Sequence, residues 1–195
     1  RTPLTSVSSS AGLVQQYADR NDLANVKKHA ERIKNAVNGL NSILTEFLSI
    51  GRLEEGHVAV TREETPISEC VSEVFEGLKN LFKPGQTFEH LHEGPAIVDI
   101  DGNLTKNILI NLISNAIKYS PEGAPIVVRS QVTGEKIRIS VHDKGMGIPE
   151  AYQKHLFGRF FRASNAINST LGTGLGLYIV QRYAEMMGGT AGFDS

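Results

Sequence analysis

Three short segments of the chain combine residue types that could hold a nucleotide. The segment 111–119 carries two amides one helical turn apart, followed by a lysine and a tyrosine: Asn111, Asn115, Lys118 and Tyr119. The segment 143–149 places one carboxylate before two glycines, and the segment 172–177 has glycines at alternate positions. Amide oxygens can ligate a hard cation, and glycines expose backbone N–H groups to phosphates. Together the segments predict a nucleotide pocket, although each alone is typical of a turn or a solvated helix face.

Asp143 is the residue that we expect to select adenine. A carboxylate at a strand end can accept a hydrogen bond from the exocyclic amine of adenine, whereas guanine has a carbonyl at the corresponding position. Gly145 and Gly147 leave room for the base, and Ile148 would cover its face. The alternative is a short polar turn closed by glycines.

The third segment offers backbone amides at the start of the last predicted helix, where the positive end of the helix dipole suits phosphate. We expect the nucleotide to contact all six of its residues: Gly172, Thr173, Gly174, Leu175, Gly176 and Leu177. The alternative is a glycine-rich hinge without a ligand.

Hydrophobic periodicity indicates which elements position these segments. Helical spacing runs through residues 103–119, with four side chains predicted to face inward: Leu104, Ile108, Leu112 and Ile113. Three strands are predicted, the last two as a hairpin that ends at the carboxylate of Asp143: residues 97–100, 126–132 and 136–142.

Two further helices complete this half of the chain. Thr65 and Pro66 are interpreted as the N-cap and first residue of a helix with apolar residues at helical spacing as far as Leu81, and the turn 83–86 ends it. Residues 175–187 form the last helix, closed by two glycines. Mixed helices and strands predict an α+β domain.

The beginning of the chain shows a different pattern. In its second helical stretch, apolar residues alternate at spacings of four and three: Val26, Ala30, Ile33, Val37, Leu40, Leu44 and Phe47. A polar break at residues 19–22 separates this stretch from a similar one before it, which predicts a helical hairpin. Two narrow apolar stripes are poorly buried by one hairpin, so we expect a homodimer with a four-helix bundle. The alternative is a hairpin that packs only on the remainder of its own chain.

Gly51 and Gly56 bracket a polar segment, 52–55, which we interpret as a linker. The predicted domains are therefore residues 1–55, a helical hairpin, and residues 56–195, the α+β domain.

Composition excludes several classes of function. The chain has 195 residues, a formal net charge of −1 and 40% apolar residues, which gives no electrostatic footprint for nucleic acid or an anionic membrane. The single Cys70 precludes an intrachain disulfide, and six scattered histidines without a cysteine or carboxylate cluster argue against a transition-metal site. No apolar run approaches the roughly 20 residues of a membrane span, so we expect a cytoplasmic portion, either of a soluble protein or of an inner-membrane receptor.

The order and spacing of the three nucleotide segments resemble the ATP-binding domain of bacterial sensor histidine kinases. The wider group includes the gyrase B subunit, mismatch-repair ATPases and one class of chaperones, and the resemblance covers residues 57–195. Arg1-Thr-Pro-Leu4 resembles the second half of the phosphoacceptor motif of these kinases, H-E-x-R-T-P-L. The resemblance implies a dimeric helical hairpin followed by a two-layer α/β sandwich. It also implies ATP and Mg²⁺ as cofactors, and transfer of phosphate through a histidine to the receiver domain of a response regulator.

The resemblance also implies roles for individual residues. Asn115 would supply the Mg²⁺ ligand and Asn111 would support the metal or the phosphates. Lys118 would meet phosphate, and Tyr119 would lie beside the base or ribose. In the hydrolytic relatives a glutamate at the position of Asn111 activates water, and an asparagine cannot accept that proton, which favours a kinase over an ATPase. Two alternatives are a non-kinase ATPase of the same fold and an interaction scaffold with a degenerate pocket.

Residues 157–162, FGRFFR, resemble the phenylalanine box of the family, and the polar residues 163–171 are a candidate lid over ATP. We expect Phe160 and Arg162 at the nucleotide, where the guanidinium of Arg162 would neutralise charge on the transferring phosphoryl group.

Thr2 resembles the family residue four positions after the histidine. Its hydroxyl would orient a water molecule that dephosphorylates the response regulator; the alternative is an ordinary threonine at the start of a helix. The histidine of the motif would lie three residues before Arg1, and a C-terminal edge strand would follow Ser195. We therefore expect the chain as given to bind ATP without phosphorylating itself.

Overall fold

The computed structural model of the chain describes residues 2–55, 58–162 and 173–195, with the side chains of residues 2, 3, 42, 52 and 54 left out. The chain divides into two compact units, residues 1–51 and residues 52–195. Among the described residues, none of the helices has the length and apolar character needed to cross a membrane.

The first unit is a helical hairpin, as predicted. Helix α1 (Thr2–Asp19) and helix α2 (Leu23–Glu54) are joined by a tight turn in which Asn21 has a φ of 55°. Asp22 begins α2 by accepting a hydrogen bond from the backbone N–H of Asn25 at 3.1 Å, which caps the helix. The polar break at residues 19–22 therefore works as both a helix stop and a helix start.

Helix α2 continues into the predicted linker as far as Glu54, so residues 52–54 of that segment are helical. Arginine, leucine and glutamate are good helix formers, and the single Gly51 is not enough to end a helix that they extend. No neighbouring atom lies within 4 Å of the place where a Cβ on Gly51 would stand.

The second unit contains two small sheets. Strand β1 pairs antiparallel with β3, while β4 lies between β2, which is parallel to it, and β5, which is antiparallel. The strands are β1 (Glu63–Pro66), β2 (Thr87–Glu93), β3 (Ile97–Ile100), β4 (Pro125–Thr133) and β5 (Lys136–His142). Strands β3, β4 and β5 were predicted, whereas β1 and β2 were not.

The start of the next helix, α3 (Ile67–Leu78), differs from the prediction. Thr65 and Pro66 are not its first residues, because both belong to β1 and pair with β3. The hydroxyl of Thr65 donates to the backbone oxygens of Glu63 and Ile100 and does not cap the helix. Helix α3 ends at Leu78, and a short 3₁₀ turn takes the chain on to Leu81, which is exposed.

Helix α4 (Gly102–Tyr119) is the central helix of the unit. The side chain of Asp101 caps it by accepting from the backbone N–H of Leu104 at 2.9 Å. Of the predicted inward residues, Leu104 and Ile113 are buried, whereas Ile108 and Leu112 are only half-buried and Leu109 is fully buried in their place. The reason is that α4 contacts the sheet as well as α3 and the last helix, α6 (Gly176–Met186), so its buried stripe is wider than one amphipathic face.

The core lies between the helices and one face of the three-stranded sheet. Alternate residues of β4 are buried, and the side chains between them are exposed or half-buried: Ile126, Val128, Ser130 and Val132 form the buried row. Ile126 and Val128 of this row pack with apolar residues of α3 and α4 in one cluster that includes Ile67, Val71, Leu109 and Ile113. The predicted α+β class and two-layer α/β sandwich are confirmed. The remaining helix, α5 (Glu150–Gln153), is a single turn.

Candidate nucleotide site

The second half of α4 carries the four predicted residues of the first segment. Asn111, Asn115, Lys118 and Tyr119 are all half-buried on this helix. The amide nitrogen of Asn111 donates to the backbone oxygen of Asn107 at 2.9 Å, which fixes the direction of the side chain. The amide oxygen of Asn111 then lies only 2.7 Å from the position that a Cβ on Gly176 would take.

The start of α6 therefore meets α4 at Asn111, because Gly176 has no side chain to keep them apart. Gly174 is equally constrained: its φ is 75°, and a Cβ there would lie 2.6 Å from the backbone oxygen of Phe161. Leu175 between them is buried, and its N–H donates to the hydroxyl of Thr173 at 3.2 Å. Leu177 is half-buried in the first turn of α6. Gly172 lies outside the described residues.

The carboxylate segment contacts the carboxyl end of the same helix. Asp143 follows β5, as predicted, and its Oδ1 accepts from the N–H of Gly145 at 2.7 Å. A Cβ on Gly145 would lie 3.2 Å from the backbone oxygen of Tyr119, so the loop passes close to the end of α4. Gly147 has a φ of 67°, a conformation that favours glycine, and the N–H of Ile148 donates to the hydroxyl of Ser195 at 2.7 Å.

An open depression of about 460 Å³ lies where this loop meets α4. Its lining contains three lysines and no carboxylate: Lys83, Lys118, Tyr119, Ser120, Pro121, Lys144, Gly145 and Met146. The ammonium group of Lys118 lies 4.9 Å from the centre of the Tyr119 ring, within the range of a cation–π contact. The depression is electropositive, which suits an anionic ligand.

The phenylalanine box precedes the segment 163–172, which is not described, so the predicted lid falls outside the described residues. Phe160 has a positive φ of 58° and a side chain that is 64% exposed. Arg159 lies over the ring of Tyr178 on α6, with 5.2 Å between the guanidinium carbon and the ring centre. The backbone at Gly174 also passes close to that of Phe161, so these two positions are neighbours in the structure. Arg162 is half-buried next to them.

The glycines of the two segments allow the chain to pack closely on itself. A Cβ on Gly145 would collide with the carboxylate of Asp143, one on Gly174 with the backbone of Phe161, and one on Gly176 with the amide of Asn111. Among the described residues, no group of three histidine, cysteine or acidic side chains could hold a metal ion. Amide oxygens and ATP phosphates can nevertheless hold Mg²⁺, which usually binds to few protein ligands. Asn111 and Asn115 fit that kind of site.

Two lysines of the depression were not singled out by the sequence analysis. Lys83 belongs to the turn before β2, and Lys144 follows Asp143. Lys144 could have been found from its place within the carboxylate segment, whereas no local signal marks Lys83. The side chain of Thr2, for which a phosphatase role was predicted, lies outside the described residues.

Comparison with known proteins shows similarity to histidine kinases. Residues 100–195 match the family model described as histidine kinase-, DNA gyrase B-, and HSP90-like ATPase. The chain is 28% identical over 196 residues to the signal transduction histidine-protein kinase ArlS of Staphylococcus haemolyticus, with 100% of this chain and 43% of that protein covered. Along its whole length the chain is thus similar to a histidine kinase. It spans less than half of the length of this relative.

Solved structures of histidine kinases share the fold. The histidine kinase AdeS of Acinetobacter baumannii has a TM-score of 0.72 at 22% identity, covering 95% of this chain and 85% of that chain. The histidine kinase ThkA in complex with the response regulator protein TrrA has a TM-score of 0.62 at 24% identity, covering 94% of this chain and 52% of that chain. The predicted order of a helical hairpin followed by an α/β sandwich is thus the order found in histidine kinases.

Proposed function

We propose that this histidine kinase chain binds ATP and magnesium and transfers the γ-phosphoryl group of ATP to a histidine of the same protein, and from there to an aspartate of a response regulator. One observation carries the proposal. The carboxylate loop and the glycine segment both meet α4, one beside Tyr119 and the other beside Asn111. Two motifs from distant parts of the sequence thus contact one helix, which itself carries the third motif with its amides and lysine.

The carboxylate loop would select the base. Asp143 lies at the end of β5 with Oδ1 held by the N–H of Gly145, so the carboxylate is oriented before a ligand arrives. A carboxylate accepts a hydrogen bond from the amine of adenine but meets a carbonyl in guanine. Gly145 and Gly147 would leave space for the ring, and Ile148 would cover it. Adenine nucleotides are therefore the proposed ligands.

The phosphates would lie between α4 and the start of α6. Asn115 and Asn111 would hold Mg²⁺ through their amide oxygens, and Lys118 would attract the phosphates. The bound magnesium would neutralise charge on the phosphate oxygens. Arg162 would stabilise the charge that develops on the transferring group, because a guanidinium is always protonated and can donate two hydrogen bonds to phosphate. The N–H groups of Gly174, Gly176 and Leu177 would complete the contacts, because that of Leu175 already donates to Thr173.

The chemistry of Asn111 favours transfer over hydrolysis. A general base near the γ-phosphate is needed to activate water, and an amide cannot accept a proton at neutral pH. The amide nitrogen of Asn111 is also already engaged with the backbone oxygen of Asn107. The pocket would therefore hold ATP without supplying a base for hydrolysis, until an acceptor histidine approaches.

The hairpin would form the dimer. Several large apolar side chains of α2 are exposed on the single chain, including Leu44 at 56% and Phe47 at 62%. Exposed apolar residues at heptad spacing are buried when a second hairpin packs against them. A four-helix bundle would then carry the acceptor histidine. The complex of ThkA with a response regulator protein supports a receiver domain as the second partner, and Thr2 would assist its dephosphorylation.

The proposal is tested by titration calorimetry with ATP, with and without magnesium, and by phosphorylation of a chain extended upstream through the histidine. We expect ATP binding by the chain as given, and transfer of labelled phosphate only by the extended chain.

Asn115→Ala should weaken ATP binding mainly when magnesium is present, with Asn103→Ala as the exposed control on the same helix. Equal losses with magnesium and with a chelator would contradict the metal role of Asn115. Steady ATP hydrolysis without phosphohistidine would favour the ATPase alternative.

A further inference from the structure

The turn before β2 is built to present two polar side chains on the same side. Pro84 and Gly85, with a φ of 74° at the glycine, occupy the two central positions, and the N–H of Gln86 donates to the oxygen of Lys83 at 3.1 Å. Proline followed by a residue of positive φ is the pattern of a type II turn. Lys83 and Gln86 are its first and last residues. The backbone N–H of Lys83 also donates to the side-chain oxygen of Gln86 at 2.9 Å, which holds the two together.

Both side chains reach the carboxyl end of α4, which lies 31 to 37 residues away in sequence. The ammonium group of Lys83 donates to the oxygen of Lys118 at 2.8 Å and also to that of Ser120. The amide nitrogen of Gln86 donates to the oxygens of Ile117 at 3.2 Å and Pro121 at 3.1 Å. The last carbonyls of a helix have no hydrogen-bond donors within the helix, so these two side chains act as their donors.

The carbonyls held in this way belong to the pocket. Lys118 is one of the residues bonded, and the next carbonyl along the chain, that of Tyr119, is the one that Gly145 approaches. Lys83 itself lines the depression together with Lys118. The turn therefore holds the carbonyls at the end of α4, next to the side chains of Lys118 and Tyr119.

The turn does not depend on these side chains for its own position. The backbone N–H of Gly123 donates to the oxygen of Pro84 at 3.0 Å, and that of Thr87 donates to the oxygen of Ala124. These bonds dock the turn beside the loop after α4 through main-chain atoms alone. Removing the polar end of Lys83 or Gln86 should therefore loosen the end of α4 without displacing β2.

We infer that Lys83 and Gln86 are positioning residues for the nucleotide, which act by holding the end of α4 so that Lys118 and Tyr119 face the ligand. The inference rests on the proposed ATP-binding function. Two simpler roles would leave different signatures. A helix cap that contributes only stability would change the free energy of unfolding and leave ATP affinity unchanged. A direct contact of Lys83 with phosphate would be independent of Lys118.

The test is a double-mutant cycle, which measures whether Lys83 acts through Lys118. ATP affinity is measured by calorimetry with magnesium for the original chain and for Lys83→Met, Lys118→Met and the double variant. Lys83→Met removes hydrogen bonds that a charged donor makes to the end of α4. We therefore expect it to weaken ATP binding by about tenfold in the original chain. In the Lys118→Met background the same change should cost less than about threefold, because the side chain being positioned is gone. Lys83→Arg, which can still donate to two carbonyls, should restore most of the affinity.

Two further variants complete the design. Lys79→Met removes an exposed lysine from the preceding 3₁₀ turn, where its partner is Glu76, and should leave ATP affinity unchanged. Gln86→Met removes the second set of bonds without changing charge, so a loss of affinity there separates positioning from simple attraction of ATP. It also replaces Lys83→Met in the cycle if that variant does not fold.

The outcomes are distinct. Equal losses in both backgrounds, or unchanged ATP affinity in Lys83→Met and Gln86→Met despite lower unfolding free energies, would overturn the inference. Failure of the original chain to bind ATP at all would instead reject the proposed function.

Discussion

The two units of this chain bury their apolar residues in opposite ways. In the second unit, α3, α4 and the sheet enclose a cluster whose members Ile67, Leu109, Ile113 and Ile126 are 0% exposed. In the hairpin, Leu44 and Phe47 are more than half exposed, and only Ala36 and Ile50 of the apolar residues described in α2 are buried. The second unit therefore encloses an apolar core of its own, whereas the hairpin leaves apolar side chains exposed, as expected if a second hairpin packs against it.

The hairpin places a polar ring in its interior. His29 is 6% exposed and stacks on Tyr17, with ring centres 5.6 Å apart. An imidazole is unusual in a closely packed apolar core. Between two helices with narrow apolar stripes, an aromatic pair can fill the remaining space. The second unit also buries polar side chains, among them Asp101, Thr105 and Ser130. The two units therefore differ in the completeness of their apolar cores and not in whether polar groups are buried.

The largest expected effect comes from a charge placed on the exposed face of the hairpin. Leu44→Asp would bury an unpaired carboxylate in the four-helix bundle, which costs about 3–5 kcal/mol for each buried charge. Analytical ultracentrifugation should show dimers of the original chain and monomers of the variant. Asn41→Asp, one turn earlier on the same helix, is the matched control and should remain dimeric. An original chain that is monomeric at high micromolar concentration would contradict the dimer.

The second prediction makes a matched deletion in both units. Leu109→Ala should lower the free energy of unfolding by about 2–5 kcal/mol, because its fully buried side chain leaves a cavity. Leu44→Ala should cost little at protein concentrations where the chain is monomeric and more where it is dimeric. Urea denaturation at two protein concentrations measures both. If Leu44→Ala were equally costly at every concentration, the hairpin would be complete without a partner.

The third prediction concerns the nucleotide site of the self-contained unit. Asp143→Asn should weaken ATP binding by about 1–3 kcal/mol, the usual cost of disturbing a charge-assisted hydrogen bond. Asp99→Asn, a change of the same kind on the exposed face of β3, should have no effect on affinity. Because Asp143 lies in the second unit, its variant should also leave dimerisation unchanged. Unaltered ATP affinity in a folded variant would remove Asp143 from the site.

Local pattern was enough to predict most of the elements that form the candidate site. Helix α4 with its asparagines, the hairpin of β4 and β5, and Asp143 at the end of β5 all follow from periodicity and turn residues that are close in sequence. The contacts of Lys83 could not be predicted, because its partners on α4 are 35 and 37 residues away and no local signal marks them. The helical end of α2 was missed because glycine is only a weak helix breaker.

Strand β2 escaped prediction for a different reason. Its inward residues include His90 and His92, which are polar, so the apolar alternation that marks a strand is interrupted. Both rings converge on the buried hydroxyl of Ser130 in β4, with nitrogen-to-oxygen distances of 2.8 Å. The interior of the sheet at this point is held by a hydrogen-bond network in place of apolar packing, and only the paired strands show it.

The smallest expected effect is a pH dependence that belongs to this network. His92 donates through Nε2 to the oxygen of Pro95, so its Nδ1 accepts from Ser130, whose oxygen in turn accepts from Nε2 of His90. Burial lowers the pKa of His90, and the neighbouring His92 lowers it further. An unfolded chain has the ordinary pKa of about 6.5, so it binds more protons than the folded chain as the pH falls below that value.

The contribution of His90 to stability is therefore fully present above pH 6.5 or so and is lost as the pH falls towards its lowered pKa. We expect the free energy of unfolding to drop between pH 7.5 and pH 5.5, and to drop less in His90→Gln, which can still donate to Ser130 but does not titrate. His142→Gln, an exposed histidine on β5 bonded to Ser140, should keep the original pH dependence. Urea denaturation at the two pH values gives the measurement. Since the network lies in the second unit, His90→Gln should not change dimerisation of the hairpin. If the free energy of unfolding depended on pH in His90→Gln as it does in the original chain, His90 would titrate equally in the folded and unfolded states.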